Sequence, residues 1–225
     1  MTSNIISISN LTKEFVNNKN KIIILKEINF QIKKGDIISI CGPSGSGKST
    51  FLNILGLLDS KFNGLYEFLN FNVSKLNINQ KNAIRNKSIG FVHQFFHLLP
   101  ELNVIENVLL PNLIYNNKKN NSHINAMQIL KNFALKDRIY HKPYNLSGGE
   151  QQRVAIARAL INSPDIIIAD EMTGNLDEKT SDEIINFFLK FVTNHNISLM
   201  YVTHNQKYAD MADIKYELKN KNLVA

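Results

Sequence analysis

Gly42-Pro43-Ser44-Gly45-Ser46-Gly47-Lys48-Ser49-Thr50 is the stretch whose reading decides the fold. The apolar run Ile37-Ile38-Ser39-Ile40-Cys41 before it reads as a buried strand. Phe51-Leu52-Asn53-Ile54-Leu55 after it reads as the first turns of a helix. A strand, a glycine-rich turn and a helix N-terminus in that order form a phosphate cradle. The glycines let backbone N–H groups point inward at anionic oxygens, and the helix dipole adds partial positive charge there. Lys48 can reach terminal phosphates, and the Ser49 hydroxyl can ligate Mg²⁺. All nine residues from Gly42 to Thr50 are therefore assigned to phosphate binding.

Phosphoryl transfer also needs a second carboxylate to hold the metal. In Asp165-Ile166-Ile167-Ile168-Ala169-Asp170-Glu171, four apolar residues precede two acids. This reads as a fully buried parallel strand with carboxylates at its C-terminal edge. Asp170 is the candidate Mg²⁺ ligand. Adjacent strand residues point to opposite sides, so Glu171 has a different role, that of orienting or deprotonating the attacking water. His204 closes the predicted strand Ser198–Val202 on the same sheet edge, where it can face the γ-phosphate. Gln94 follows the strand Ile89–Val92, and its amide can reach Mg²⁺ or water. The other histidines, His93, His97, His123, His141 and His195, are read as structural or surface residues.

The remaining elements fit an α/β core. Ile5–Ile8, Leu11–Phe15, Ile22–Leu25 and Ile28–Ile32 read as strands that form an antiparallel sheet beside the nucleotide core, with a polar loop from Val16 to Lys21. Asp59 to Gly64 reads as a turn, Leu65–Leu69 as a strand, and Asn79–Asn86 as a helix with Arg85 on its exposed side. Val104–Leu110 and His123–Phe133 have helical spacing, separated by a solvated loop over Asn116–Asn121. Ser147 is placed to cap a helix that runs to Leu160, with Glu150 three residues on as a capping box requires. Thr180–Val192 and Gln206–Ala212 read as helices, and Tyr216–Val224 as a final hairpin. Nothing separates independent domains. The expectation is one domain over 1–225, with a core lobe at about 1–94 and 161–225 and a helical lobe at about 95–160.

Composition narrows the partners. No apolar run reaches the roughly 18–20 residues that span a bilayer, and no secretory signal is visible at the N-terminus. The single Cys41 rules out an intrachain disulfide framework and fits a reducing compartment, where it reads as a small core residue. The net charge of +7 accompanies Lys, Asn and Ile abundance along the whole chain, which reads first as compositional drift and second as a basic face near acidic headgroups. No zinc-finger, helix-turn-helix or RNP pattern supports nucleic-acid binding.

Six motifs together carry a family resemblance. Leu146-Ser147-Gly148-Gly149-Glu150-Gln151-Gln152-Arg153 resembles the signature of ATP-binding-cassette (ABC) ATPases. Gly42–Thr50 matches their Walker A motif, Ile166–Glu171 their Walker B motif, Gln94 the Q-loop, Asn175-Leu176-Asp177 the D-loop and His204 the switch histidine. Phe15 matches the aromatic position that stacks on adenine. The resemblance implies a P-loop ATPase core with an antiparallel β subdomain and a helical subdomain, using ATP and Mg²⁺, with Lys48, Glu171 and His204 catalytic. It also implies that Leu146 to Glu150 act in trans, in a head-to-tail dimer of two copies that sandwiches nucleotide.

A narrower likeness lies in Gln94-Phe95-Phe96-His97-Leu98-Leu99-Pro100, Glu106-Asn107-Val108 and Thr173-Gly174-Asn175-Leu176-Asp177. These resemble the branch that holds the ATPases of the lipoprotein-releasing (Lol), macrolide-export and cell-division systems, with the wording closest to the lipoprotein-releasing one. The resemblance implies a peripheral subunit on the cytoplasmic face of the inner membrane. It would sit under two integral membrane subunits, drive lipoproteins toward the outer membrane and have no direct cargo contact. The coupling groove would take its apolar anchors from Phe95, Phe96, Leu98 and Leu99. A sister ATPase of a cell-division or macrolide-type efflux complex is the alternative. Departures from the family pattern are Met172 for proline, Asn205 for aspartate, Lys219-Asn220 for Asp-Gly and Phe15 for tyrosine.

Overall fold

The computed structural model describes residues 4–17, 20–116 and 119–224. β1 (Asn4–Asn17) and β2 (Asn20–Lys33) form a long antiparallel ribbon, followed by β3 (Ile37–Cys41) and α1 (Lys48–Leu55). β4 (Asn63–Phe68) and β5 (Phe71–Asn72) complete a four-stranded antiparallel sheet in the order β2-β1-β4-β5. The loop expected over Val16–Lys21 is mostly strand. Val16 pairs with Lys21 and Asn17 with Asn20, and residues 18–19 of that expectation lie outside the described residues. A solvent-facing ribbon tolerates polar residues, because the pairing partner rather than composition fixes the strand.

The second sheet has six strands in the order β10-β9-β3-β8-β7-β6. It contains β6 (Ile89–Val92), β7 (Ile166–Asp170), β8 (Ser198–Val202), β9 (Ile214–Lys219) and β10 (Asn222–Val224). All its pairings are parallel except β9 with β10. β3, β6, β7 and β8 are buried on both faces, which is why they read as continuous apolar runs, whereas β9 and β10 at the edge are largely exposed. Ile38, Ile40, Ile166, Ile168, Met200 and Val202 pack toward α1 and the four-stranded sheet. Their neighbours Ile37, Ile167, Ala169, Leu199 and Tyr201 pack toward the helices on the other face. α1 is therefore held between two sheets. Its Phe51 is fully buried and meets the Phe30 ring edge-on at 5.3 Å.

α2 (Ile78–Ser88) starts with a reciprocal capping box between Asn77 and Gln80. Arg85, expected on an exposed face, is half-buried and donates to the Leu57 carbonyl at 3.1 Å. The long stem follows apolar surface until its head reaches a backbone acceptor. α3 (Val104–Asn116) and α4 (Lys119–Asn132) extend further than expected, so the loop read over Asn116–Asn121 shrinks; its residues 117–118 lie outside the described residues. α5 (Gly148–Leu160) and α6 (Glu178–Asn194) follow. α7 (Gln206–Ala209) is shorter than the expected Gln206–Ala212, because Met211 and Ala212 turn back onto the Tyr208 and Ala209 carbonyls. Val104, Val108, Leu130 and Phe133 belong to the same hydrophobic cluster as Ile167 and Leu199, so the helical segment shares a core with the sheet.

Candidate functional site

The phosphate loop leaves β3 and enters α1 through left-handed glycines. Gly42 has φ 145°, Gly45 77° and Gly47 106°. A Cβ on Gly42 would lie 2.5 Å from the Leu218 carbonyl oxygen, so only glycine fits. Lys48 is buried and arches back, donating to the Gly42 and Pro43 carbonyls at 2.9 and 2.8 Å. The Ser46 hydroxyl is buried with no hydrogen-bond partner. Buried polar atoms are rarely left unpaired, and a phosphate oxygen in the cradle would pair this one. The loop therefore fits a polyphosphate.

Ser49 Oγ donates to Asp170 Oδ2 at 3.3 Å across 121 residues of chain. A hydroxyl and a carboxylate are the hard oxygen donors that Mg²⁺ takes when substrate phosphates complete its shell. Among the described residues no group of three or more His, Cys, Asp or Glu could hold a metal on its own.

Glu171 departs from the strand. Its φ is 45°, a left-handed conformation for a non-glycine residue, fixed by its N–H on the Val202 carbonyl at 3.1 Å and its carbonyl on the Gly174 N–H at 2.9 Å. The turn sends the side chain away from Asp170 to His204, with Glu171 Oε1 2.5 Å from His204 Nε2. His204 and the loop residues Gly42 and Pro43 line one cavity of about 630 Å³. The two acids thus hold separate places, but the left-handed turn at Glu171 separates them and not the strand alternation expected, because β7 ends at Asp170. Glu171 is coupled to a histidine at the loop.

Gln94 is half-buried beside the turn after β7, and among the described residues it makes no hydrogen bond with Ser49 or Asp170. Its side-chain amide lies against Gly174, and its carbonyl accepts from Asn175 Nδ2 at 3.0 Å. Asp177 caps α6, accepting from the Thr180 N–H at 2.9 Å; the Thr180 bonds hold its carboxyl below the usual range. Met172 is buried in the core, and Asn205 caps α7 as an aspartate would. Asn220 and Lys221 both take left-handed φ in the last hairpin. Cys41 is half-buried, with Sγ 3.4 Å from the Tyr216 carbonyl.

Leu146 to Glu150 open α5. The expected capping box is present in both directions: Glu150 N–H donates to Ser147 Oγ at 3.2 Å, and Ser147 N–H to Glu150 Oε2 at 2.8 Å. Burial pushes the Glu150 carboxyl up, but the Ser147 N–H and the Arg138 guanidinium outweigh it and the pKa falls below the usual value. Gly148 and Gly149 present a helix N-terminus, an anion-binding end. Among the described residues no hydrogen bond or ion pair joins 146–150 to 42–50 in the same chain.

The Phe15 ring is 48% exposed, open to stacking, and pairs across the ribbon with Ile22. In the segment after Gln94, Phe95 and Leu99 are exposed, whereas Phe96 and Leu98 are half-buried, Leu98 against the core. A groove of about 550 Å³ beside that segment is lined by Leu58, Phe91, His93, His97, Ile114 and Arg158 among others, and by none of the four apolar residues expected. The backbone turns at His97, where φ is 48°, and His93 and His97 line the groove while Phe95 and Phe96 do not. Three residues hold the site together: Asn175 of the expected D-loop on Gln94 and, unflagged by the sequence, Lys13 behind Phe15 and Arg158. The Arg158 guanidinium donates to the Phe96 and His97 carbonyls at 2.8 and 2.6 Å. An arginine on the inner side of an alanine-rich helix, and a lysine alternating with Leu11 and Phe15, are the available signals.

A parallel sheet with a phosphate loop at its C-terminal edge, a serine–aspartate pair beside it and a glutamate–histidine pair across it defines a P-loop nucleoside triphosphatase. The ABC transporter family model matches residues 25–174, and the chain belongs to that family of ATP-hydrolysing cassettes. It is 44% identical over 223 residues to the lipoprotein-releasing system ATP-binding protein LolD of Treponema denticola, covering 99% of both chains. It is 43% identical to that of Novosphingobium aromaticivorans, covering 93% of both. A solved dimeric post-hydrolysis structure of the ATP-binding cassette MJ0796 with ADP and Pi superimposes with a TM-score of 0.88 at 39% identity, over 98% of this chain and 97% of that one.

Proposed function

We propose that this chain is the ATP-hydrolysing subunit of an inner-membrane complex that releases lipoproteins toward the outer membrane. The observation that carries this reading is the near-complete alignment, at 40–44% identity, with chains named for lipoprotein release. Two copies pair head to tail, so that Ser147, Gly148 and Gly149 of one close over the phosphate loop of the other. The physical ground is the separation, within one chain, of two anion-binding helix ends that would both serve a triphosphate.

In this reading Gly42–Thr50 wraps the β- and γ-phosphates, and Lys48 leaves its two carbonyls for them. Ser49 and Asp170 would hold Mg²⁺, which supplies charge neutralisation on the phosphate oxygens. Gln94 joins them only by moving off Gly174. Glu171 accepts the proton of the attacking water, and His204, which contacts its Oε1, fixes the carboxylate and faces the γ-phosphate. Asp177 orders the turn between Glu171 and α6. Phe15 stacks on adenine. The chain works as one cassette whose segment at about 95–160 forms the helical lobe. That lobe meets two integral membrane subunits at the groove lined by His93, His97, Ile114 and Arg158. Its place is peripheral, on the cytoplasmic face beneath those subunits; no helix among the described residues is long and apolar enough to cross a membrane.

The test is purification of the affinity-tagged chain from its own membranes, identification of the bound subunits, and an ATP-driven lipoprotein release assay in proteoliposomes. Release that requires ATP supports the reading. Bound subunits of an efflux or cell-division complex, with no lipoprotein released, overturn the lipoprotein assignment and leave the ATPase.

A further inference from the structure

Lys13 is 2% exposed, an unusual place for a lysine on a sheet of a nucleotide-binding core. It sits two residues before Phe15 on β1, so both side chains leave the same face of the ribbon. Three contacts account for its burial. Its ammonium is 2.6 Å from Asp59 Oδ2, donates to the Lys61 carbonyl at 2.7 Å, and lies 4.8 Å from the centroid of the Phe15 ring. Asp59 and Lys61 belong to the turn that leaves α1. Asp59 is itself tied to that helix, its N–H donating to the Asn53 carbonyl at 3.1 Å, and its Oδ1 accepts from the Lys61 N–H at 2.9 Å. A continuous chain of contacts therefore runs from the phosphate loop through α1 to Asp59, Lys13 and Phe15.

We propose that Lys13 is a positioning residue for the nucleotide base. It clasps the aromatic platform on β1 to the far end of the phosphate-loop helix, setting the spacing between base and phosphates. The inference rests on the reading of Phe15 as the adenine platform. An ammonium against one side of the ring holds it at a fixed orientation, and the ring stays half open for the base. The two backbone-linked acceptors keep the ammonium from following solvent, so the ring orientation is built before nucleotide arrives. Asp59 is the fixed counter-charge. Burial pushes its carboxyl up, and the Lys13 ammonium with the Lys61 N–H overcomes this and holds it below its usual value.

The experiment measures calorimetric affinities of the full chain for ATP and for inorganic tripolyphosphate, which has phosphates and no base. Lys13→Met is expected to weaken ATP about five- to tenfold, the range of a lost cation–π contact and its ordering, and to leave tripolyphosphate unchanged within twofold. In a Phe15→Ala background the same substitution is expected to add less than twofold, because the platform it positions is gone. Should Lys13→Met fail to fold with Asp59 left uncompensated, Lys13→Met/Asp59→Leu removes both charges and carries the same expectation. Unchanged ATP affinity, an equal loss for tripolyphosphate, or a full additional loss in the Phe15→Ala background would each overturn the proposal. Phe15→Ala binding ATP as tightly as the parent would overturn the platform reading itself, and the clasp with it.

Discussion

Replacing Lys48 by Met tests the phosphate loop with two readouts that move by different amounts. In the free chain the ammonium makes two bonds, to Gly42 at 2.9 Å and Pro43 at 2.8 Å. Charged hydrogen bonds contribute about 1.5–3 kcal/mol each, but the loop carbonyls can rehydrate and Met retains the aliphatic stem. A net stability loss of about 1–2 kcal/mol is expected, which for a chain of this size lowers Tm by about 5 °C. Binding loses more. A unit charge about 4 Å from a phosphate oxygen is worth about 4 kcal/mol at an effective dielectric of 20, and part of that offsets desolvation. About 3 kcal/mol lost gives an ATP Kd roughly 100-fold weaker. Thermal unfolding and titration calorimetry on the same sample separate the two effects. An ATP Kd within threefold of the parent would refute the assignment of Lys48 to phosphate binding.

Glu171→Gln keeps a hydrogen-bonding partner for His204 but cannot accept a proton. ATP binding is expected to stay within threefold while phosphate release falls by about 100-fold or more, the contribution of a positioned base. Sizing with ATP present is expected to give twice the 25.6 kDa mass. Ser147→Ala removes the Oγ that accepts from the Glu150 N–H, costing about 1 kcal/mol and lowering Tm by about 3 °C in melting curves, while the backbone N–H of residue 147 keeps its bond to the Glu150 carboxylate. Burial, the neighbouring His97 and Arg158 depress the His93 pKa against the opposing pull of Asp170. The unfolded state then binds more protons than the folded one, so this contribution is full above pH 6.5 and is lost as pH falls below it. His93→Asn is expected to flatten the stability curve from pH 7.5 to 5.5 in urea titrations. An unchanged slope would show that His93 does not carry this pH dependence.

The phosphate loop and the β7 acids are legible because their geometry is local. A strand, a turn that needs left-handed glycines and a helix follow one another without interruption, and the next carboxylates come straight after four buried aliphatics. The capping box at Ser147 and Glu150 is legible for the same reason. Gln94 is not, since its place depends on Gly174 and Asn175, some eighty residues away. Lys13 and Arg158 escape because each reaches backbone carbonyls, which leave no mark in the sequence of their partners. The Val16–Lys21 ribbon reads as a loop since asparagine disfavours strands locally, while cross-strand pairing overrides that preference. Phe95, Phe96, Leu98 and Leu99 are read as groove anchors from the family resemblance, and none of them lines the groove beside the segment. The backbone turns at His97, where φ is 48°, and it is His93 and His97 that line the groove.

The claim at the centre is that one ATP site is built from two chains, and mixing two inactive variants tests it most directly. Lys48→Met disables the phosphate loop and Ser147→Arg blocks the α5 end, so each homodimer has two broken sites. A mixed dimer has one site broken twice and one intact, from the Ser147→Arg chain's loop and the Lys48→Met chain's signature. ATP hydrolysis by the mixture is expected to rise well above the sum of the separate variants. Hydrolysis that stays at that sum, with mixed dimers confirmed by mass, would contradict a site shared between chains.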